Sequence, residues 1–370
     1  MRAFAFALLS GTLAASCSSP YPRDAHEGWS PLSNRYAKHF EVLERGPERL
    51  LLVFSDTLKR DTIGAYRCGP DTAGRAFAMP LRRIILGSTT HVPFVSALGG
   101  LDAVIGCTHL ADVRDSVARQ RMAANGVREV LAGDGLDREQ VLAMHPEVLL
   151  GYPFGRQEGD RMAQLGVPVM EVAEYLEAHP LGRAEWLRFF GVLLGREAKA
   201  DSLFDRIAER YEATRARPWS GGAPKVFFGS CWRAEWSVPP GNSYMAQLIA
   251  DAGGAYLFAD RKGSGNITLD MEATIGIGAK ADVWGTILAS PDVVTEATIA
   301  YDDARILALP AFRQHRTFYG NSTESDLFGD AALHPDLLLT DLRAILHPDS
   351  MEVAGVYFLK PVQNGIPKRR

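Results

Sequence analysis

The stretch PLGRAEWLRFFGVLLGREAKADSLFDRIAERYEATRAR, residues 180–217, decides how the rest of the chain is read. Trp186, Phe189, Phe190, Leu193 and Leu194 follow the i, i+3, i+4, i+7, i+8 spacing of one buried helical face. After Gly195 the spacing repeats at Leu203, Phe204, Ile207 and Tyr211, with Arg196, Glu197, Lys199, Asp201, Asp205, Arg206, Glu209 and Arg210 on a solvated side. Glycine suits the left-handed position that closes a helix. The pattern therefore predicts a shorter helix ending near Leu194 and a longer one from about Glu197 to Thr214, stopped by Pro218. Periodicity alone fits one more amphipathic helix of an ordinary α/β domain equally well, so the flanks decide.

Both flanks alternate strand and helix. On the amino-terminal side, the apolar run Arg82–Leu86, the polar turn Gly87–His91 and the helical VPFVSALGG open a βαβ unit. Strands are expected at 102–107, 147–152 and 167–172, with helices around 113–125, after Leu136-Asp137-Arg138-Glu139, and at 161–165. On the carboxyl-terminal side, strands are expected at 225–229, 281–287 and 317–320, with helices in SYMAQLIADA, after Leu269-Asp270-Met271-Glu272 and from Pro335. Leu-Asp-x-Glu thus occurs once in each half, each time ahead of a helix and then a strand, which reads as a pseudo-repeat. Before all this, HFEVLER, RLLLVFSDT and TIGAYRC have the composition of a β meander.

Length and composition agree. At 370 residues the chain exceeds the roughly 250–300 at which one core stops growing, so two lobes are expected. A net charge of −4 gives no support for nucleic-acid binding. The first sixteen residues, with Arg2 and then an apolar stretch closing in small residues, read as an export signal. Ordinary secretion with an incidental Cys17 and a short membrane anchor compete with lipidation of that cysteine. Ser18, Ser19, Pro20 and Pro22 suit a tether. Cys68, Cys107 and Cys231 are too scattered for a disulfide framework or a CxxC metal site and are expected to be buried.

RRIILGSTTHVPFVSALGGLDAVIGC, GLDREQVLAMHPEVLLGY, GNSYMAQLIADAGGAYLF and LDMEATIGIGAKADVW, in this order, resemble the substrate-binding proteins of bacterial ABC importers for iron-siderophores, haem or cobalamin. The likeness covers roughly residues 80 to 345. It implies an α/β fold of two Rossmann-like lobes joined by a long central helix, here with an extra β meander. The expected divisions are a signal peptide (1–16), a lipidated tether (17–35), a first lobe with the meander (36–179), connecting helices (180–217) and a second lobe (218–370).

The residues 13–17, LAASC, resemble a lipoprotein lipobox, which would acylate Cys17, although Ala14 stands where leucine is usual. In the family one glutamate on each lobe docks on arginines of the permease, and the matching positions are Glu139 and Glu272. The implied activity is capture of a chelated-metal compound in the cleft and delivery to a membrane permease with its ATPase. The protein would be an exported, envelope-anchored monomer with no cofactor and no nucleic-acid partner.

Ligand-side residues are those after strand ends. These are Thr90, His91, Tyr152, Arg156 and Tyr175 in the first lobe, and Trp232, Arg233, Trp236, Asn242, Tyr244 and Trp284 in the second. Aromatic rings offer flat contact area and arginines neutralise ligand charge. Direct capture of bare Zn or Mn needs several converging His, Asp or Glu. Only His109 pairs obviously with His91, because His145, His179, His334 and His347 each precede proline. An exported enzyme is the rival class, but no G-x-S-x-G, H-E-x-x-H or phosphate-cradling glycine loop is present. A scaffold or adhesion module of the same fold is a third reading.

Overall fold

The structure is a computed structural model that describes residues 28–57, 60–69, 77–133, 135–151, 156–233, 235–301, 303–350 and 356–362. Cys17 and the export segment, and Tyr152 in the first-lobe ligand set, lie outside the described residues.

The chain begins with an antiparallel meander. β1 (Ser30–Leu32), β2 (Phe40–Arg45), β3 (Glu48–Asp56) and β4 (Asp61–Gly69) pair in sequence order, and β5 (Phe77–Ala78) joins β4 in parallel. Alternation gives the sheet two apolar faces: Phe40, Val42, Leu51 and Val53 enter the main core, while Leu43, Leu52 and Phe54 form a small cluster with Trp29.

The first lobe follows the expected order. β6 (Ile84–Leu86), α1 (Val92–Leu98), β7 (Val104–Cys107), α2 (Ser116–Ala124), β8 (Arg128–Glu129), a small hairpin of β9 (Leu131–Ala132) and β10 (Gly135–Leu136), α3 (Arg138–Ala143), β11 (Val148–Gly151), α4 (Arg156–Gln164) and β12 (Val169–Glu171) alternate along the chain. Their parallel sheet has the order β12-β11-β6-β7-β8.

Three helices connect the lobes rather than the two expected: α5 (Pro180–Glu185), α6 (Leu187–Leu194) and α7 (Glu197–Ala216). The extra break falls at Trp186. Gly195 adopts φ +61° and ends α6 as expected. Trp186, Phe189, Phe190, Leu193, Phe204, Ile207 and Tyr211 are all buried, so the periodic face packs on the lobes.

The second lobe runs β13 (Lys225–Phe228), β14 (Ser230–Trp232), β15 (Glu235–Val238), α8 (Tyr244–Asp251), β16 (Ala255–Tyr256), β17 (Ile267–Leu269), α9 (Met271–Gly278), β18 (Val283–Leu288), α10 (Glu296–Ala300), α11 (Ala304–Leu307), α12 (Pro310–Arg313), β19 (Thr317–Asn321), α13 (Asp330–Leu333), α14 (Pro335–Leu346) and β20 (Leu359–Pro361). Its main sheet is β16-β13-β18-β19-β20, parallel except for β20. Read from the other edge, β19-β18-β13-β16 repeats β12-β11-β6-β7 strand for strand.

The Leu-Asp-x-Glu echo has the same structural role in both halves. Asp137 caps α3 by accepting from Gln140 N at 3.0 Å, and Asp270 caps α9 by accepting from Ala273 N at 2.7 Å. Glycines match as well. Gly87 after β6 donates its N–H to Leu150 O at 2.8 Å and Gly229 after β13 donates to Gly285 O at 3.2 Å. A side chain at Gly87 would run into the Leu150 carbonyl, which makes glycine necessary at this close approach.

Candidate ligand cleft

In each sheet the strand order reverses beside the first strand, between β6 and β11 and between β13 and β18, and ligands of open α/β sheets bind beyond strand carboxyl ends at such points. The loops at these ends are Gly87–His91 and 172–176 in the first lobe. In the second lobe they are the β14–β15 hairpin, the segment 289–295 and the segment 322–328.

The first-lobe side is polar. Ser88 Oγ accepts from Thr90 N at 3.1 Å, and Thr90 Oγ1 donates to Glu174 Oε1 at 3.1 Å, tying the loop after β6 to the turn after β12. Glu174 is buried, and burial lifts its carboxyl to about 7 against the opposing pull of Arg183. Arg183 on α5 donates from Nη2 to Tyr175 O at 2.9 Å and lies 4.3 Å from the centre of the Tyr244 ring at the start of α8. First lobe, connector and second lobe meet in these few side chains. Burial, with Glu174 and Glu171 nearby, pushes the half-buried Tyr175 phenol up to about 12.

The second-lobe side is apolar at its rim. Trp232, at 73% exposure, stands at the hairpin tip with the Arg233 guanidinium 5.7 Å from its ring centre. Val293 and Phe328 are exposed on the neighbouring loops. These loops are fastened together: Ser290 N donates to Asn321 Oδ1 at 3.1 Å, Asn321 Nδ2 returns to Ser290 O at 2.8 Å, and Ser230 Oγ donates to Ile287 O at 2.8 Å.

Several expected ligand residues are elsewhere. Residues 231–236 form a hairpin rather than a loop, and strand alternation sends Trp236 inward while Trp232 points out. Trp236 is fully buried edge-on to Trp284, at 5.1 Å between ring centres, and Trp284 is itself buried. His91 is fully buried beside Phe190, and burial lowers its ring to about 3, so it belongs to the core. His109 is exposed beside Asp112, away from any such enclosure. Among the described residues no three His, Cys, Asp or Glu side chains are grouped to hold a metal ion. Asn242 is exposed at the foot of α8, its Oδ1 accepting from Gly263 N at 2.9 Å. Arg156 opens α4, on the ligand side of β11. Cys68, Cys107 and Cys231 are buried, as expected.

Glu174 and Arg183 were not singled out by sequence. Glu174 immediately precedes the expected ligand-side Tyr175, but nothing in the sequence marks it as a buried carboxylate. Arg183 lies in the stretch expected only to connect the lobes.

Glu139 and Glu272 occupy the second position of α3 and α9, both exposed. A helix preceding a parallel strand runs antiparallel to it, so both glutamates lie toward the side where the strands end. Glu272 is engaged by Arg305 at 2.7 Å, and Arg305 also holds Asp303 at 2.8 Å.

Comparison with known proteins agrees with this geometry. A family model described as periplasmic binding protein matches residues 84–313, well over half of the chain. An uncharacterized lipoprotein of Methanocaldococcus jannaschii is 25% identical over 299 residues, covering 76% of this chain and 68% of that protein. Two solved structures share the fold. A periplasmic heme binding protein from Pseudomonas aeruginosa has a TM-score of 0.57 at 18% identity, covering 76% of this chain and 98% of that one. Helicobacter pylori CeuE, solved as a nickel–histidine complex, has a TM-score of 0.60 at 13% identity, covering 81% and 89%. The β1–β5 sheet precedes the matched segment, and from β6 onward the chain belongs to the periplasmic binding protein family.

Proposed function

We propose that this protein captures a chelated-metal compound between its two lobes and delivers it to an ABC permease, working by binding and release without covalent chemistry. The observation that carries the reading is the pair of matched sheets whose ligand-bearing ends meet across Arg183 and Tyr244, with an exposed tryptophan at the rim. Large apolar contact at Trp232 and hydrogen-bonding groups at Thr90, Tyr175 and Tyr244 suit a bulky chelate such as an iron-siderophore, with cobalamin or haem next. The heme-binding description of one structural neighbour and the nickel–histidine complex of the other are in line with a chelated metal. Arg156 and Arg233 would meet ligand charge, and Tyr152 would add a ring in the first lobe.

Glu139 and Glu272 are the proposed permease contacts, since an exposed carboxylate accepts a bidentate arginine. Acylation of Cys17 would hold the protein on the outer side of a membrane, and the name of the archaeal relative supports that reading.

Absorbance and mass spectrometry of protein purified from its native host test the ligand directly. A coloured, metal-containing compound that is lost from Trp232→Ala protein is the expected result, and a colourless sugar or peptide in its place would overturn it. Membrane fractionation of Cys17→Ser tests the anchor, with release into the soluble fraction expected.

A further inference from the structure

The side chains between the lobes contain two polar groups left over by the structure's own hydrogen bonding. Glu174 Oε1 accepts from Thr90, but among the described residues Glu174 Oε2 has no hydrogen-bond partner. Arg183 spends Nη2 on Tyr175 O, and its buried Nε is likewise without one. The two side chains are close enough to interact electrostatically. A buried acceptor and a buried donor, both unsatisfied, each carry a free-energy cost that a rearrangement bringing them together would recover.

We propose that Glu174 and Arg183 form a proton-operated catch that sets the contact between the lobes, with Arg183 as the positioning residue. With Glu174 neutral, Arg183 rests on Tyr175 O and the Tyr244 ring and holds α5 against α8. With Glu174 ionised, its free oxygen draws the Arg183 guanidinium toward the first lobe and off Tyr244, and the contact between the lobes loosens. The remaining groups do not supply a competing switch. Thr90 brings a hydroxyl from the turn before α1. Tyr175 and Tyr244 have phenols raised well above neutrality, and Glu171 at the end of β12 faces Tyr175. The elevated carboxyl of Glu174 puts the transition near neutral pH, within the range an extracytoplasmic protein meets. The catch needs only the two-lobe fold and is independent of the cargo's identity.

Spin labels at Val117→Cys on α2 and Val293→Cys on the second-lobe rim, both exposed, measure the separation of the lobes by pulsed EPR in the full chain carrying Cys17→Ser. The buried Cys68, Cys107 and Cys231 are shielded from the labelling reagent. The distance peak is expected to lie longer at pH 8.5 than at pH 5.5. Glu174→Gln is expected to give the pH 5.5 peak at both values, and Glu174→Asp to restore the shift. A pH-independent peak in the parent, or an unchanged shift in Glu174→Gln, would overturn the catch. Neither result bears on whether the cargo is a chelate, which the purified ligand decides separately.

Discussion

Trp284 lies flat on Phe227, with ring centres 3.8 Å apart and planes inclined by 14°, and Trp236 closes the stack edge-on. This aromatic block is the core of the second lobe beneath the hairpin that carries Trp232. Trp236→Ala is therefore expected to cost about 3–5 kcal/mol of stability, the range for a buried aromatic. Trp232→Ala should leave the melting temperature within a degree or so, because exposed substitutions fall within about 0.5 kcal/mol. It should nevertheless weaken binding of the purified native ligand. Equal melting temperatures for the two variants would contradict the inward and outward assignment of these rings.

Glu174 makes stability depend on pH. Its carboxyl moves from an ordinary 4.5 to about 7 in the folded protein. A raised carboxyl means that the folded state binds the proton more tightly. The stabilisation is complete below pH 4.5 and is lost as pH rises through about 7. The loss is on the order of 3 kcal/mol, since one unit is worth about 1.4 kcal/mol. Glu174→Gln, fixed in the neutral form, should melt several degrees above the parent at pH 8 and close to it at pH 4.5. Calorimetry across this range checks the sign, and a Glu174→Gln protein that is less stable at pH 8 would refute it.

The added sheet is fastened to the connector by two buried carboxylates. Glu185 accepts the N–H groups of Arg35, Tyr36 and Ala37 at 2.7, 2.7 and 2.8 Å. Glu177 accepts those of Lys38 and His39, each at 2.9 Å, and the Trp186 indole at 3.1 Å. Leaving a buried donor unpaired costs about 1–3 kcal/mol. Glu185→Ala is expected to destabilise the protein by several times that of an ordinary surface change, and hydrogen exchange at residues 35–37 should accelerate first. Protection at those amides equal to the parent's would show that the carboxylate is not what holds the segment.

Much of this architecture is legible in the sequence because it is local. The 3.6-residue spacing of Phe189, Phe190 and Leu193, the glycine at 195 and the capping Asp137 and Asp270 each act within a turn or two of chain. The meander is equally visible in its three β-rich runs. What stayed hidden is long-range: Glu185 meets Arg35 across the connector, and Arg183 finds Tyr244 only once both lobes are assembled. The reading of Trp236 failed because 231–236 pairs as a hairpin, and a two-residue period separates its face from that of Trp232. His91 failed likewise, because a histidine at a helix start looks the same whether it faces solvent or, as here, Phe190.

The two proposed docking glutamates differ in a way that bears on transport. Glu139 is exposed at the start of α3, whereas Glu272 is already engaged by Arg305, itself held by Asp303. A permease arginine must therefore compete with Arg305 on the second lobe only. The Glu272–Arg305 pair is highly exposed, and such pairs contribute roughly 0–1 kcal/mol, so displacement is cheap. Glu139→Ala with Glu272→Ala should spare ligand binding but reduce uptake into cells about a hundredfold, as expected for losing two charge-assisted contacts of about 1.5 kcal/mol each at about 1.4 kcal/mol per tenfold. Arg305→Ala should leave uptake intact or raise it, because it frees Glu272. Parent-level uptake by the double variant would remove both glutamates from the docking surface, and loss of uptake in Arg305→Ala would make Arg305 itself the contact.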